Sequence, residues 1–141
     1  MCIRDRSQTY KKDTKLKEQI TLVGERYLSE GTVLLHGDYY PGSWMTKENK
    51  FFAIDPEFSF KGFPEFDLGV MAAHIVMATN NKLMISEIKK EYQLNLNLQL
   101  FLQITGIEIM RRLIGLAQLP MERTLEEKEQ LLKIARTLLM D

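Results

Sequence analysis

The order of apolar and polar positions predicts a mainly helical chain that contains one short β region. Residues 11–30 carry apolar side chains at successive spacings of four, three and four, which is typical of an amphipathic helix. The apolar positions of that stripe are Leu16, Ile20, Val23 and Tyr27. Gly31 follows at the position where glycine commonly ends a helix.

The pattern changes after Gly31 from a helical period to short extended runs. Residues 32–35 and 51–54 are short apolar runs, and residues 43–46 suit an extended strand. The polar turn 47–50 lies between the last two runs along the chain, so we predict a small β-hairpin there.

Beyond Gly62 the chain is predicted to be helical. Pro64 suits the first turn of a helix that runs to about Thr79, where two asparagines break the pattern. A further short helix is predicted within residues 86–92.

Residues 94–100 alternate apolar and polar positions, and this period by itself favours a strand. We predict a helix instead, because the segment continues without glycine or proline as far as Thr105 and into the helical spacing of residues 101–112. The last helix begins near Thr124 and Glu127, whose spacing is that of a capping box.

Composition and charge narrow the classes of function. The chain has 141 residues, and its 19 lysines and arginines are balanced by 19 acidic residues, so we expect no nucleic-acid partner and no membrane partner. The single cysteine cannot form an internal disulfide. No apolar run approaches the roughly 20 residues that span a bilayer. We therefore expect one soluble, cytoplasmic domain.

The start of the chain has an unusual composition. Residues 1–7 show no periodicity and no apolar segment of the kind found in signal peptides. We expect residues 1–10 to be a non-native or disordered leader and residues 11–141 to form the folded domain.

Three acidic motifs lie in or near the predicted β region. His36-Gly37-Asp38 follows one short run, Asp55-Pro56-Glu57 follows another, and residues 66–69 (Phe-Asp-Leu-Gly) open a helix. Each motif alone is ordinary, because aspartates at strand ends and turns bond to nearby backbone amides. Together they supply what phosphoryl transfer needs, namely one carboxylate for the acceptor hydroxyl and others for Mg²⁺.

Four segments resemble, in the right order, the small-molecule kinases of the aminoglycoside phosphotransferase superfamily. Residues 34–43 (LLHGDYYPGS) are similar to its catalytic loop. Residues 54–60 (IDPEFSF), with 66–69, resemble more narrowly the methylthioribose kinases, whose metal motif is D-x-E. Residues 110–117 (MRRLIGLA) resemble the paired-arginine helix of that group. Ser43 stands where most of the superfamily has asparagine, and this also matches the methylthioribose kinases.

The resemblance implies catalytic and metal-binding roles for four residues. Asp38 is the implied catalytic base, or the group that orients the acceptor hydroxyl. Asp55 and Glu57 are the implied ligands of Mg²⁺. Ser43 is implied as a weaker metal or phosphate contact.

The resemblance also implies residues for substrate binding and for support of the loop. Arg111 and Arg112 would anchor polar groups of the acceptor. The apolar residues around this pair favour a buried or cleft-facing position over a surface position. Asp67 and His36 would hold the catalytic loop in place.

The implied fold is the C-terminal lobe of a protein-kinase-like enzyme, mainly α (α+β), with one small β-hairpin that carries the catalytic and metal loops. The implied activity is the phosphorylation of a hydroxyl group on a small molecule, most like methylthioribose, with ATP and Mg²⁺. The sequence contains no G-x-G-x-x-G loop and no strand lysine before His36. We therefore expect that an N-terminal lobe is missing and that this chain is inactive alone.

Alternatives stay open for the acceptor, the activity and the oligomeric state. Residues 39–41 (Tyr-Tyr-Pro) and Trp44 depart from the methylthioribose kinase pattern on the acceptor side of the loop. The acceptor can therefore be an aminoglycoside, a choline-like molecule or another sugar. A degenerate, non-catalytic binding module is the alternative to an enzyme. A homodimer is also open, because apolar surface meant for the missing lobe would be exposed.

Overall fold

The computed structural model describes residues 3–141, and helices make up most of it. The helices are α1 (Ile3–Lys12), α2 (Thr14–Leu28), α3 (Pro64–Thr79), α4 (Met84–Glu91), α5 (Leu98–Ile114) and α6 (Leu125–Met140). The strands are β1 (Val33–Leu35), β2 (Trp44–Lys47), β3 (Lys50–Ala53) and β4 (Phe60–Gly62). The predicted mainly α fold with a small β region is confirmed. Within the described residues, no helix combines the length and apolarity that a membrane-spanning segment needs.

Helix α5 packs against both α3 and α6, and the three helices form most of the hydrophobic core. The innermost side chains are fully buried, and they include Ala72, Val76, Phe101, Ile109, Leu132 and Ala135. Because α5 also carries the paired arginines, this core fixes the position from which their side chains extend.

Two glycines let α5 approach its neighbours closely. A Cβ atom on Gly69 of α3 would lie 2.4 Å from a side-chain carbon of Ile104, and one on Gly106 would lie 2.6 Å from the carbonyl oxygen of Ala135. Both distances are shorter than van der Waals contact, so a larger residue at either position would push the helices apart.

The strands form two separate antiparallel sheets of two strands each. β2 pairs with β3 as the predicted hairpin, with Met45 opposite Phe52. The turn between them places Glu48 and Asn49 at φ 52° and 58°. This left-handed conformation at two successive residues is the one that a type I′ hairpin turn requires.

The pairing of β1 with β4 is the feature that the sequence pattern did not predict. β4 has only three residues and ends in Gly62, so it is too short to show an alternating pattern. Leu35 lies opposite Phe60, and the pairing therefore joins the segments on either side of the hairpin. The fold has two small sheets where a single hairpin was predicted.

Two predicted helices differ from the structure at their N-terminal ends, and side-chain caps explain both differences. The helix predicted over residues 11–30 is divided at Asp13, whose carboxylate accepts a backbone amide hydrogen bond and caps α2. The helix predicted from residue 94 begins only at Leu98, because Asn97 caps α5 in the same way. The residues just before Asn97 form neither helix nor strand.

Residues 3–10, which the sequence analysis set aside as part of a leader, form most of α1 in the structure. Ser7 is fully buried, and Arg6 makes an ion pair with Glu129 of α6. The structure therefore places residues 3–10 within the fold. Residues 1–2 of the proposed leader lie outside the described part of the chain.

Other predicted helix ends are confirmed. α3 starts at Pro64 and ends before Asn80, which has φ 54°. Thr124 and Glu127 form the predicted capping box at the start of α6. These ends depend on neighbours in the sequence, and a reading of the sequence could therefore locate them.

We expect Gly106→Ala to destabilise the protein by about 1–3 kcal/mol, because the added methyl group forces α5 away from α6. Gly24→Ala is the matched control, since nothing lies within 4 Å of a Cβ atom at that position in α2. The control should gain about 0.5–1 kcal/mol from the helix propensity of alanine. Urea denaturation measures both changes. A Gly106→Ala variant as stable as the unaltered protein would contradict the close approach of these helices.

Candidate active site

Asp67 fixes the predicted catalytic loop, which runs from β1 to β2. Its carboxylate lies in the first turn of α3. It accepts hydrogen bonds from the backbone amides of His36 at 2.7 Å and Gly37 at 3.1 Å. The start of a helix favours a negative charge, so the position suits an ionised carboxylate. These hydrogen bonds are the ones expected of a residue that supports the catalytic loop.

Gly37 lets the catalytic loop pass close to the turn that follows β3. Its φ of 86° lies in the left-handed region that favours glycine. A Cβ atom at this position would lie 2.1 Å from the carbonyl oxygen of Phe58. The backbone alone fits there, and the loop that carries Asp38 therefore contacts the turn that contains Glu57.

His36 links the catalytic loop to the end of β3. Its Nε2 atom lies 2.7 Å from the carbonyl oxygen of Ile54, and its Nδ1 atom lies 3.3 Å from the amide nitrogen of Asp38. A carbonyl oxygen only accepts, so Nε2 carries the hydrogen and Nδ1 accepts from the amide. Both ring nitrogens are used in holding the loop, which leaves neither for proton transfer.

Ser43 holds the backbone of the catalytic loop at Asp38. It is 4% exposed, and its hydroxyl donates to the carbonyl oxygen of Asp38 at 2.9 Å. The carbonyl oxygen of Ser43 accepts from the Ile54 amide at 2.9 Å. Both backbone groups of Asp38 are therefore held in place. The weaker metal or phosphate contact of Ser43 stays a prediction.

The side chain of Asp38 lines a cavity of about 560 Å³. Arg112 approaches it from α5, with Nη2 3.8 Å from Oδ1 of Asp38. Glu108 and Arg111 belong to the same wall. The apolar part of the lining is formed by Tyr27, Phe58, Phe60, Phe66, Val70, Ile104 and Ile107. The structure therefore brings the predicted base and both predicted arginines to one cavity.

Glu108 is the residue of this cavity that the sequence analysis missed. Its carboxylate is buried and accepts hydrogen bonds from Arg111 at 2.7 and 3.1 Å and from Arg112 at 2.8 Å. His74 of α3 lies 3.1 Å from the same group. The sequence does contain a signal, because Glu108 precedes the arginines by three and four positions, the spacing at which helical side chains meet.

The surroundings of Glu108 keep it ionised. Burial raises the pKa of its carboxyl group, but hydrogen bonds from His74, Arg111 and Arg112 outweigh burial and lower the pKa to about 2. The hydrogen bond to Glu108 in turn raises the pKa of Arg111. The cavity wall therefore carries a buried carboxylate that is ionised at neutral pH and is bonded to two guanidinium groups.

The two arginines differ in exposure. The side chain of Arg112 is 13% exposed, and its guanidinium carbon lies 5.7 Å from the ring centre of Tyr40. The side chain of Arg111 is 44% exposed. Arg112 is thus the inner member of the pair, next to Asp38, and Arg111 is the outer member.

Asp55 lies two residues after the end of β3, and Glu57 lies in the short helical turn Pro56–Phe58 that comes next. Both side chains are exposed, and among the described residues neither makes a hydrogen bond or an ion pair. Mg²⁺ takes oxygen ligands and commonly keeps water and phosphate oxygens around it, so two uncommitted carboxylates fit this ion. Over the same part of the chain, no three His, Cys, Asp or Glu side chains form a metal site by themselves. The metal-binding role stays a prediction.

Comparison with known proteins gives matches to phosphotransferases. The model of the phosphotransferase enzyme family matches residues 5–96. The chain is 35% identical to methylthioribose kinase of Geobacillus kaustophilus over 80 residues, which are 57% of this chain and 19% of that protein. It is 36% identical to methylthioribose kinase of Exiguobacterium sibiricum over 66 residues, which are 47% and 17% of the two chains. The matched segments span less than a fifth of these relatives.

The pKa of Glu108 predicts how stability depends on pH. The folded-state pKa of about 2 lies below the ordinary value of 4.5, so the ionised group stabilises the fold fully above about pH 4.5. This contribution is lost as the pH falls toward 2. Glu108→Gln should therefore be less stable than the unaltered protein by roughly 1.5–3 kcal/mol near neutral pH.

Urea denaturation at several pH values between about 3 and 7 measures this difference. We expect the unaltered protein and Glu108→Gln to converge in stability as the solution becomes acidic, because the carboxyl group is then increasingly protonated. The comparison between the two proteins cancels the contribution of the other acidic residues. A stability difference that stays constant from neutral to acidic pH would contradict the assignment.

Proposed function

We propose that the site of this chain, which belongs to the phosphotransferase enzyme family, transfers a phosphoryl group from ATP to a hydroxyl group of a small molecule. Methylthioribose is the proposed acceptor, because the matched relatives are methylthioribose kinases. The observation that carries the proposal is the position of Asp38 at the cavity, 3.8 Å from Arg112 and held by its backbone on both sides.

Asp38 suits the role of the group that accepts the hydroxyl proton or orients the hydroxyl. Such a group must be fixed relative to the acceptor, because correct placement supplies much of the rate. The backbone of Asp38 is fixed by His36 and Ser43. Its side chain is 31% exposed and therefore accessible to a bound molecule.

The lining of the cavity suits a compact polyol with an apolar substituent. One part carries Asp38 and the two arginines, which together accept from and donate to hydroxyl groups. The other part is formed by aromatic and aliphatic side chains, among them Phe60, Phe66 and Ile107. A thioether-bearing sugar offers both kinds of surface.

Asp55 and Glu57 would hold Mg²⁺ at the turn that follows β3. When bound, the ion supplies positive charge that neutralises the oxygens of the transferred phosphoryl group. The contact of Gly37 with Phe58 brings the loop of these carboxylates against the loop of Asp38. This closeness supports a shared role for the two loops.

We propose that the 141-residue chain alone does not catalyse phosphoryl transfer. The sequence has no Gly-rich phosphate-binding motif, and the matched segments cover only 17–19% of the relatives. Donors for the ATP phosphates would then come from other parts of a complete kinase. Loose placement of ATP costs much of the rate, since positioning supplies on the order of 7–11 kcal/mol.

Tyr40 packs beside the inner arginine and lies outside the cavity lining. Its ring lies between His74, at 5.0 Å between ring centres, and the guanidinium group of Arg112 at 5.7 Å. Because residues 39–41 and Trp44 depart from the methylthioribose kinase pattern, an acceptor other than methylthioribose stays open. A panel of hydroxylated molecules therefore belongs in the test.

We expect no ADP release from ATP, magnesium and methylthioribose with this chain alone. Joined to the N-terminal lobe of a methylthioribose kinase, the chain should become active. In that form Asp38→Asn should lower kcat by roughly 10²- to 10⁴-fold, because the acceptor hydroxyl loses its base. Asp13→Asn, an exchange of the same kind at the start of α2, should leave kcat unchanged.

This assay tests separately the need for other parts of a kinase and the role of Asp38. Turnover by the chain alone would contradict the need for other parts of a kinase. Full activity of Asp38→Asn would contradict the role of that carboxylate. If the joined protein phosphorylates another member of the panel in preference to methylthioribose, the acceptor is different and the reaction type stands.

A further inference from the structure

The carboxylate of Glu108 is bonded mainly to partners within the protein. Its Oε1 atom contacts His74, Arg111 and Arg112, and its Oε2 atom accepts from Nε of Arg111. An ionised carboxylate offers two acceptor sites on each oxygen, so both sites of Oε1 are used by protein donors and one of the two on Oε2 is used. Glu108 lines the cavity but is only 4% exposed, so its main effect on a bound molecule is through the arginines that it holds.

The bonds to Glu108 determine which hydrogens each arginine has left. Arg111 gives Nε and Nη2 to the carboxylate. Arg112 gives only Nε, so both of its Nη atoms remain, and Nη2 lies 3.8 Å from Asp38. A free arginine side chain has many rotamers, and the carboxylate therefore selects the one that turns Arg112 toward Asp38.

His74 fixes Glu108 from a second helix. It is 7% exposed, and its Nε2 atom lies 3.1 Å from the Glu108 carboxylate. Because an ionised carboxylate only accepts, Nε2 carries a hydrogen and donates it. The ring of His74 packs in turn against Tyr40. The orientation of Glu108 is thus set by α3 as well as by its own helix.

We propose that Glu108 is a positioning residue of the acceptor site. It sets Arg112 beside Asp38 and holds Arg111 as the outer member of the pair, and it does not touch the acceptor itself. This inference rests on the proposed function, since it takes the cavity to be the acceptor site. Removing the charge of Glu108 then weakens acceptor binding although no contact to the acceptor is deleted.

The test compares Glu108→Gln with Glu65→Gln in the 141-residue chain. Glu65 is the matched control, because it is 5% exposed, accepts the Asn97 amide at 2.6 Å and lies outside the cavity lining. Two quantities are measured. NMR gives the side-chain Nε–H signals of the arginines and their exchange with water, and calorimetry gives the Kd for methylthioribose.

We expect Glu108→Gln to lose the exchange-protected Nε–H signals of Arg111 and Arg112 and to bind methylthioribose roughly 10- to 100-fold more weakly. Glu65→Gln should keep both signals and the affinity of the unaltered chain. Nε–H signals that stay protected in Glu108→Gln overturn the proposal, whether or not the sugar binds. Lost signals with unchanged affinity overturn it as well, because Glu108 then orders arginines that the acceptor does not use.

Failure of the proposed function gives a different result. If the unaltered chain does not bind methylthioribose but Glu108→Gln still loses the two signals, the acceptor is wrong and the ordering of the arginines by Glu108 is supported. If Glu108→Gln does not fold, hydrogen exchange in the unaltered chain tests the proposal instead. Its Arg112 Nε–H must exchange more slowly than that of Arg26, which lies 3.9 Å over the Phe63 ring and has no carboxylate partner among the described residues. Equal exchange overturns the proposal.

Discussion

The hydrogen bonds from the amides of His36 and Gly37 to Asp67 determine where the candidate site forms. They tie the loop after β1 to the first turn of α3, and α3 packs against α5 in the hydrophobic core. Because α5 carries Arg112, the same series of contacts sets the distance between that arginine and Asp38. Hydrogen bonds to a carboxylate are stronger than bonds between neutral groups, so this connection suits a loop that must not move.

Glu108 performs the corresponding task on the other side of the cavity. Asp67 and Glu108 both use their oxygens on groups of the protein, one on backbone amides and the other on side chains. They thereby leave Asp38 and the outer nitrogens of Arg112 to face the cavity. Asp67 and Glu108 thus hold the structure of the site, whereas Asp38 is the carboxylate that the proposed function assigns to the acceptor.

Local signals in the sequence were sufficient for much of the fold and for part of the site. The capping box at Thr124 and the proline at the start of α3 act on neighbouring residues, so their helix ends could be predicted. β4 could not, because three residues become a strand only through pairing with distant β1. The motifs located Asp38 and the arginines, whereas the role of Glu108 depends partly on His74, 34 positions away in the sequence.

Mapping by NMR shows whether the cavity between Asp38 and the paired arginines binds the acceptor, as we propose. Methylthioribose is titrated into the labelled chain while all backbone amides and arginine side chains are observed. We expect the largest shifts at the amides of Gly37 and Asp38 and at the side chains of Arg111 and Arg112. Shifts confined to other surfaces, such as the apolar cavity lined by Tyr10, Leu16 and Ile20, would contradict it.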